Sequence, residues 1–173
     1  MRPFYRVWQF WLVVTARPLD KKKEEEIKAV LSPEQQWLFG RFSASEQQHS
    51  YRVYDTLRRA GQNDPDLLAA ALLHDVGKTC VPRSWWDRVV VVLGQAFLPG
   101  KAAVWSQGEA AGLTRPFVVK ANHPEWGAAL AEEAQSSPMT TVLIRHHHHP
   151  PSGEMDEKLA HLLKQLQWAD DNS

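Results

Sequence analysis

The apolar residues of this chain recur every three or four positions along most of its length, which is the spacing that lines one face of an α-helix. Strand signals are nearly absent, because the valine runs at 89–92 and 118–119 lie inside longer helical patterns and no Asn-Gly or Asp-Gly turn occurs. The pattern therefore predicts an all-α fold. We expect helices at about 4–16, 22–30, 33–41, 44–61, 65–76, 84–97, 101–111, 117–135, 138–147 and 154–170.

Local signals mark where several of these helices begin and end. Ser32-Pro33 supplies an N-cap and a first-turn proline, Ser43 and Glu46 have the capping-box spacing, and Asp64-Pro65 starts the next helix. With 173 residues the chain can bury about two-thirds of its unfolded surface, which fits one domain. We expect N-terminal helices at 1–42 that pack on or extend a main domain at 43–173.

Two apolar segments raise the question of a membrane. The N-terminal segment has an unbroken apolar run only at 10–14, far below the ~20 residues of a bilayer span. The segment at 85–98 is longer but contains Asp87, Arg88 and Gln95. We expect packed helices or a lid over a substrate pocket, with contact between the second segment and a membrane surface as the alternative.

Composition narrows the class of protein. Twenty basic and twenty acidic residues balance, so no global field attracts nucleic acid or an anionic membrane. The single cysteine, Cys80, excludes an intramolecular disulfide and suits a reducing compartment, so we expect a cytoplasmic protein. Histidine stands out, because five of the eight lie between positions 123 and 149.

The adjacent pair His74-Asp75 lies at the end of a strongly apolar helix. The apolar stripe of that helix continues into Asp75, while His74 follows Leu67 and Ala71, so both side chains can point inward. An aspartate is almost never buried unless it is paired or bound to a metal. The alternative is a helix C-terminal pair, with His74 against the helix dipole and Asp75 capping the turn at Gly77. This pair alone supports both interpretations equally.

The same oddity, a histidine or aspartate on an apolar face, recurs on four other predicted helices. His49 shares a face with Val53, and Asp170 follows Leu166 by four positions whereas Asp171 falls on the polar face. A single residue of this kind is usually a core histidine whose hydrogen bonds are made, or a residue at a solvated helix end. Packing does not explain one on each of five helices. A metal ion would satisfy them together. The inward candidates on these helices are His49, His123, His146, His147 and Asp170.

Four segments of the chain resemble the signature segments of the HD-domain superfamily of phosphohydrolases. LLHDVGK matches its central signature, HSYRV looks like its first-histidine helix, NHPEWGA resembles a His-Pro-Glu-x-Gly segment, and IRHHHH resembles its His-His segment. The resemblance runs from roughly His49 to Asp170, most of the chain. It implies a compact single-domain helical bundle of the HD-domain type.

The resemblance also implies a ligand set. The common metal site of the family maps to His49, His74, Asp75 and Asp170. In the two-metal members additional histidines, here His123 and either His146 or His147, bind a second ion that is bridged by the aspartate corresponding to Asp75. The arrangement is similar to the HD-GYP cyclic-dinucleotide phosphodiesterases and the nuclease HD domains, although this chain lacks the Gly-Tyr-Pro element.

The ligand chemistry indicates one or two divalent transition-metal ions. Imidazole and carboxylate without thiolate suit iron or manganese first, with cobalt, nickel or zinc as alternatives. Lys78, one turn after Asp75, is expected to bind a substrate phosphate and to act with Asp75 in catalysis; its alternative is a solvated helix-end lysine. Arg145 is a second candidate for the phosphate, or it only neutralises carboxylates. His148 and His149 are expected to line the mouth of the site or face solvent.

The resemblance implies a metal-dependent phosphohydrolase, a phosphomonoesterase or phosphodiesterase that acts on a nucleotide or related small phosphoester through a metal-activated water. One alternative is a non-catalytic HD module that binds a nucleotide or a protein partner in signalling. A further alternative is a metal-dependent nuclease for single strands, which the balanced charge and the lack of a basic arm count against.

Overall fold

A computed structural model describes residues 18–81, 90, 99–108, 111–152 and 155–173. Within these ranges the chain is helical and contains no strand, which confirms the predicted all-α class. The helices are α1 Lys21–Val30, α2 Pro33–Gly40, α3 Ala44–Arg59, α4 Pro65–Leu73, α5 Pro99–Trp105, α6 Arg115–Glu133, α7 Pro138–His146 and α8 Glu157–Asp171, with a short 3-10 helix, Val76–Cys80, after α4.

The predicted starts of three helices are confirmed by hydrogen bonds at their first turns. The Ser32 N–H donates to Gln35 Oε1 at 2.9 Å while the Gln35 N–H donates to Ser32 Oγ at 3.3 Å, so α2 begins with a reciprocal capping box. At the start of α3 the Ser43 N–H donates to Glu46 Oε2 at 2.9 Å. The Asp64 carboxylate accepts from the Leu67 N–H at 3.2 Å at the start of α4.

The centre of the fold is α4, which is buried on its whole circumference rather than along one stripe. Every residue from Leu67 to Leu73 is buried, and α1, α2, α3, α7 and α8 all contact this helix. A helix that is apolar all round is stable only where other elements cover every side. The residues that follow α4 therefore emerge inside the molecule, not at its surface.

The prediction that this helix continues to residue 76 is wrong. α4 ends at Leu73, His74 keeps a right-handed helical backbone, and Asp75 has φ −95° and ψ 3° before the 3-10 helix begins. The 3-10 helix lies against α6 at very short range: a Cβ atom built on Gly77 would lie 2.0 Å from the His123 carbonyl oxygen and 2.5 Å from the Gly127 nitrogen. This tertiary contact, which local sequence does not reveal, lies just beyond the point where α4 ends.

No helix in the described part of the chain is long and apolar enough to cross a bilayer. The two apolar segments that raised this question, at 4–16 and 85–98, lie outside the described residues except for residue 90.

We expect Gly77→Ala to destabilise the fold by about 3 kcal/mol, because the added methyl group must push the 3-10 helix away from the backbone of α6. Gly40→Ala is the matched control, since a Cβ at Gly40 meets nothing within 4 Å, and its effect should stay within about 1 kcal/mol. Urea unfolding of both variants measures the difference. Equal losses would mean that the approach at Gly77 does not constrain the fold.

Candidate metal centre

Side chains from five places in the chain converge where α4 ends. His49 comes from α3, His74 and Asp75 from the turn after α4, His123 from α6, His147 and His148 from the segment after α7, and Asp170 from α8. The imidazole rings form a continuous series with centroid separations of 5.3 Å for His49–His74, 5.3 Å for His74–His147 and 5.2 Å for His123–His147.

The first group of metal-ligating atoms contains His49, His74 and Asp170. Asp170 Oδ1 lies 3.1 Å from His49 Nε2 and 3.6 Å from His74 Nε2. One ligating atom from each of the three residues lies within 4.8 Å of the other two. Such spacing lets one ion reach all three.

The second group contains His123, His147 and His148, and one ring nitrogen from each again lies within 4.8 Å of the others. The His148 ring is tilted by 43° against that of His147 with centroids 4.0 Å apart, and its centroid lies 5.0 Å from that of His123. His123 and His147 are buried, whereas His148 is exposed at the edge of the group.

The carboxylate of Asp75 lies between the two groups and turns one oxygen to each. Its Oδ2 atom lies 3.6 Å from His74 Nε2 and 3.9 Å from His49 Nε2. Its Oδ1 atom lies 3.3 Å from His123 Nε2 and 3.9 Å from His147 Nε2. Each oxygen of Asp75 could therefore reach a cation held by the group that it faces.

Backbone carbonyls fix which nitrogen of each buried histidine carries the proton. The Nδ1 atoms of His74, His123 and His147 lie 2.9, 3.0 and 2.7 Å from the carbonyl oxygens of Ala71, Val119 and Ile144. A carbonyl oxygen can only accept, so each Nδ1 must donate a hydrogen. In the neutral ring the lone pair is then on Nε2, the nitrogen that points into the site.

The buried nitrogen and oxygen atoms at the centre fit a metal ion. The buried atoms His74 Nε2, His123 Nε2, His147 Nε2 and Asp75 Oδ1 have no hydrogen-bond partner among the described residues. Lone pairs of imidazole and carboxylate that face one another repel unless a cation lies between them, and leaving them buried and unpaired is costly. The donor set, neutral Nε2 atoms and carboxylate oxygens, is that of a divalent transition metal.

Both carboxylates are held ionised. Burial by itself would raise the pKa of Asp75, but the positive charge of Lys78 beside it outweighs burial and holds that pKa well below its usual value. Burial acts in the same direction on Asp170, and His49 and His74 outweigh it, so the Asp170 pKa is also lowered.

The second group of histidines is held neutral. Desolvation lowers the pKa of His123, although Asp75 partly offsets it, and desolvation together with His74 and His148 lowers the pKa of His147 well below 6.5. Desolvation by the rings that it contacts, together with the neighbouring His123, lowers the pKa of His148 to about 4. Neutral imidazole is the form that ligates a metal, so the surroundings favour the binding form.

A comparison with protein families identifies residues 47–171 as an HD domain. The chain belongs to the HD-domain family. That match covers most of the chain and contains every residue of the two groups. Searches of curated proteins and of solved structures found no similar chain. HD domains form a superfamily of metal-dependent phosphohydrolases.

His146 and His147, which are adjacent in the chain where α7 ends, lie in different places in this HD domain. His147 lies in the second group, whereas His146, the last residue of α7, turns away and has its ring centroid 6.1 Å from that of His149. His148, which the sequence placed at the mouth or in solvent, joins the second group. The missed signal was the unbroken run itself: once α7 ends, consecutive residues no longer follow helical spacing.

Two cationic candidates are placed differently. The Lys78 ammonium contacts Asp75 Oδ2 directly, and its side chain is 24% exposed, so Lys78 lies at the open edge of the site. The Arg145 guanidinium instead pairs with Glu125 and Glu132, at 3.0 Å each, on the outer surface of α6 and α7. Lys120, one turn before His123, is a further cation near Lys78: burial and the charge of Lys78 lower its pKa.

We expect His147→Gln to weaken metal binding by about tenfold or more, because it removes a buried Nε2 atom from the second group. His146→Gln is the matched control, since that side chain is the immediate neighbour and lies outside both groups. Metal content after dialysis against known free metal concentrations measures both. If His147→Gln retained all of its metal, or if the two variants lost equal amounts of metal, the assignment of His147 as a ligand would be contradicted.

We expect the metal-free protein to lose stability as the pH falls below about 6.5. The lowered pKa values of His123 and His147 mean that the unfolded chain binds more protons than the folded chain in that range, so the free energy of unfolding falls by up to about 1.4 kcal/mol per pH unit for each histidine. Below about 4 the lowered pKa values of Asp75 and Asp170 add to the loss. Urea unfolding between pH 8 and pH 4 measures the slope.

In the same measurement the His147→Gln variant should lose less stability per pH unit between about pH 6.5 and pH 5. The difference should be up to about 1.4 kcal/mol per pH unit, the contribution of one histidine. His161→Gln, on the exposed surface of α8, should leave the slope unchanged. A stability that does not depend on pH in this range would contradict the burial of neutral histidines at the centre.

Proposed function

We propose that the chain is a metal-dependent phosphohydrolase that cleaves a phosphoester of a nucleotide or a related small molecule. The observation that carries the proposal is the convergence of three buried, unpartnered Nε2 atoms on the two oxygens of Asp75. Membership of the HD-domain family supports the same class of reaction. A purely structural centre would be closed on all sides, whereas this one has an exposed edge.

Two ion positions follow from the two groups. His49, His74, Asp75 Oδ2 and Asp170 would hold one ion, and Asp75 Oδ1, His123 and His147, with His148 at the edge, would hold a second. Iron or manganese suits this mixture of imidazole and carboxylate. When bound, such ions supply a water with lowered pKa and positive charge for phosphoryl oxygens.

The side chains of the site have two further roles, one for those at its buried floor and one for those at its exposed edge. His74, His123, His147 and Asp75 form a buried floor that excludes bulk water. Lys78 lies at the edge, where its ammonium would bind a phosphoryl oxygen, and Lys120 adds positive charge on the same side. Asp75 holds Lys78 in place through their direct contact.

The degree of exposure favours a small substrate. The side chains of His49, Asp170 and Lys78 are 27%, 25% and 24% exposed, so among the described residues the site is only partly open to solvent. Arg145 is bound to two glutamates outside this edge, and we assign it no contact with the phosphate. The balanced net charge gives no overall attraction for a single-stranded nucleic acid.

We expect Asp170→Asn to lower phosphohydrolase activity by about 100-fold, because it removes a carboxylate that faces His49 and His74. Asp171→Asn is the matched control, since the adjacent carboxylate is exposed and belongs to neither group. The metal-loaded protein is assayed against nucleoside monophosphates, dinucleotides and generic phosphomonoesters and phosphodiesters.

Three outcomes decide between the alternatives. Activity that survives Asp170→Asn refutes a mechanism that uses these ligands. Bound metal without turnover of any substrate favours a non-catalytic HD module, and salt-dependent cleavage of single-stranded DNA favours the nuclease.

A further inference from the structure

The histidines that follow α7 are not held equally. His147 is buried, and its Nδ1 atom lies 2.7 Å from the Ile144 carbonyl oxygen. The His148 side chain is exposed, and its ring contacts other rings but has no hydrogen bond to any described residue. The place of His148 in the second group therefore depends on the backbone that carries it.

That backbone is a turn just beyond the end of α7. The turn is closed by a hydrogen bond from the His149 N–H to the His146 carbonyl oxygen at 2.8 Å. Short turns outside regular structure open easily unless another part of the molecule binds them. A side chain of α8 does so here, because Gln167 Nε2 donates to the His149 carbonyl oxygen at 2.7 Å. The residue next to His148 is thus held by a different helix.

The helix that makes this contact is firmly packed. Leu163, Leu166 and Ala169 of α8 are fully buried, and α8 contacts α3, α4 and α7. Gln167 lies three residues before Asp170 on this helix. One helix therefore supplies Asp170 to the first group of ligand atoms and binds the backbone beside the second group.

The alternative is that the Gln167 contact is an ordinary hydrogen bond on the protein surface. A second glutamine on α8 shows what such a contact looks like. Gln165 Nε2 lies 2.8 Å from His161 Nε2 within the same helix, so this contact holds no other element. The Gln167 contact instead joins two elements that each carry candidate ligands.

We propose that Gln167 is a positioning residue, which holds the His149 carbonyl so that His148 stays in the second group of ligands. The inference rests on the proposed function, in which the second group binds an ion. A ligand that is already in place loses less freedom when the ion binds, so the affinity for the ion rises.

The test is Gln167→Met, which keeps the length of the side chain and removes the donor. Gln165→Met is the matched control. Manganese binding is followed by the electron paramagnetic resonance signal of the free ion, and His148→Gln identifies the binding step that depends on the second group. The affinity of that step should fall about fivefold in Gln167→Met, the effect of one lost hydrogen bond, and should stay within about twofold in Gln165→Met. An affinity that stays within about twofold in Gln167→Met as well would overturn the proposal.

A double variant separates positioning of His148 from a general loss of stability. When His148 has already been replaced by glutamine, Gln167→Met should change the manganese affinity by less than about twofold, because the side chain on which it acts is gone. A loss of about fivefold in that background as well would overturn the proposal.

A further measurement needs no metal. In the metal-free protein the His149 amide hydrogen should exchange about fivefold faster in Gln167→Met, because the turn opens more often, and at the wild-type rate in Gln165→Met. An unchanged rate in Gln167→Met would overturn the proposal. Failure of the proposed function has a different signature: the wild-type chain would bind no manganese, iron or zinc, while His149 would still exchange faster in Gln167→Met.

Discussion

The constraint on which this molecule depends is the burial of the Asp75 carboxylate. An ionised carboxylate removed from water must be surrounded by positive charge or by donors, or it destabilises the fold by several kcal/mol. Lys78 meets this need at one oxygen and holds the pKa of Asp75 low, and a cation between the other oxygen and the imidazole Nε2 atoms would complete it. Because α4 is covered on every side, the turn that carries Asp75 lies inside the molecule, where each neighbouring helix can contribute one side chain.

The polarity of the centre follows from where helices end. α4 and α7 end in the interior, and their last carbonyls need donors there. Histidine meets both demands at once, because Nδ1 donates to the carbonyl while Nε2 offers a lone pair to the site. The same hydrogen bonds that satisfy the backbone therefore create a set of converging ligand atoms, so folding itself prepares the site.

Several features of the fold and site could be predicted from residue spacing alone. Helical periodicity and capping residues gave the all-α class and the starts of α2, α3 and α4. The same periodicity placed Asp170 inward and Asp171 outward, and Asp170 Oδ1 lies 3.1 Å from His49 Nε2 while Asp171 is exposed. These features are local, since the period of one helix determines which of its faces is apolar.

The sequence by itself thus determined the helices, their buried faces and the kind of residue that reaches the centre. Only the tertiary structure decided that α4 stops at Leu73, that His147 and His148 join the centre while His146 does not, and that Arg145 is held by Glu125 and Glu132. Each of these depends on contacts between helices far apart in the chain, such as the approach of Gly77 to the backbone of α6. Periodicity is lost beyond a helix end, and His74, Asp75, His147 and His148 all follow the end of a helix.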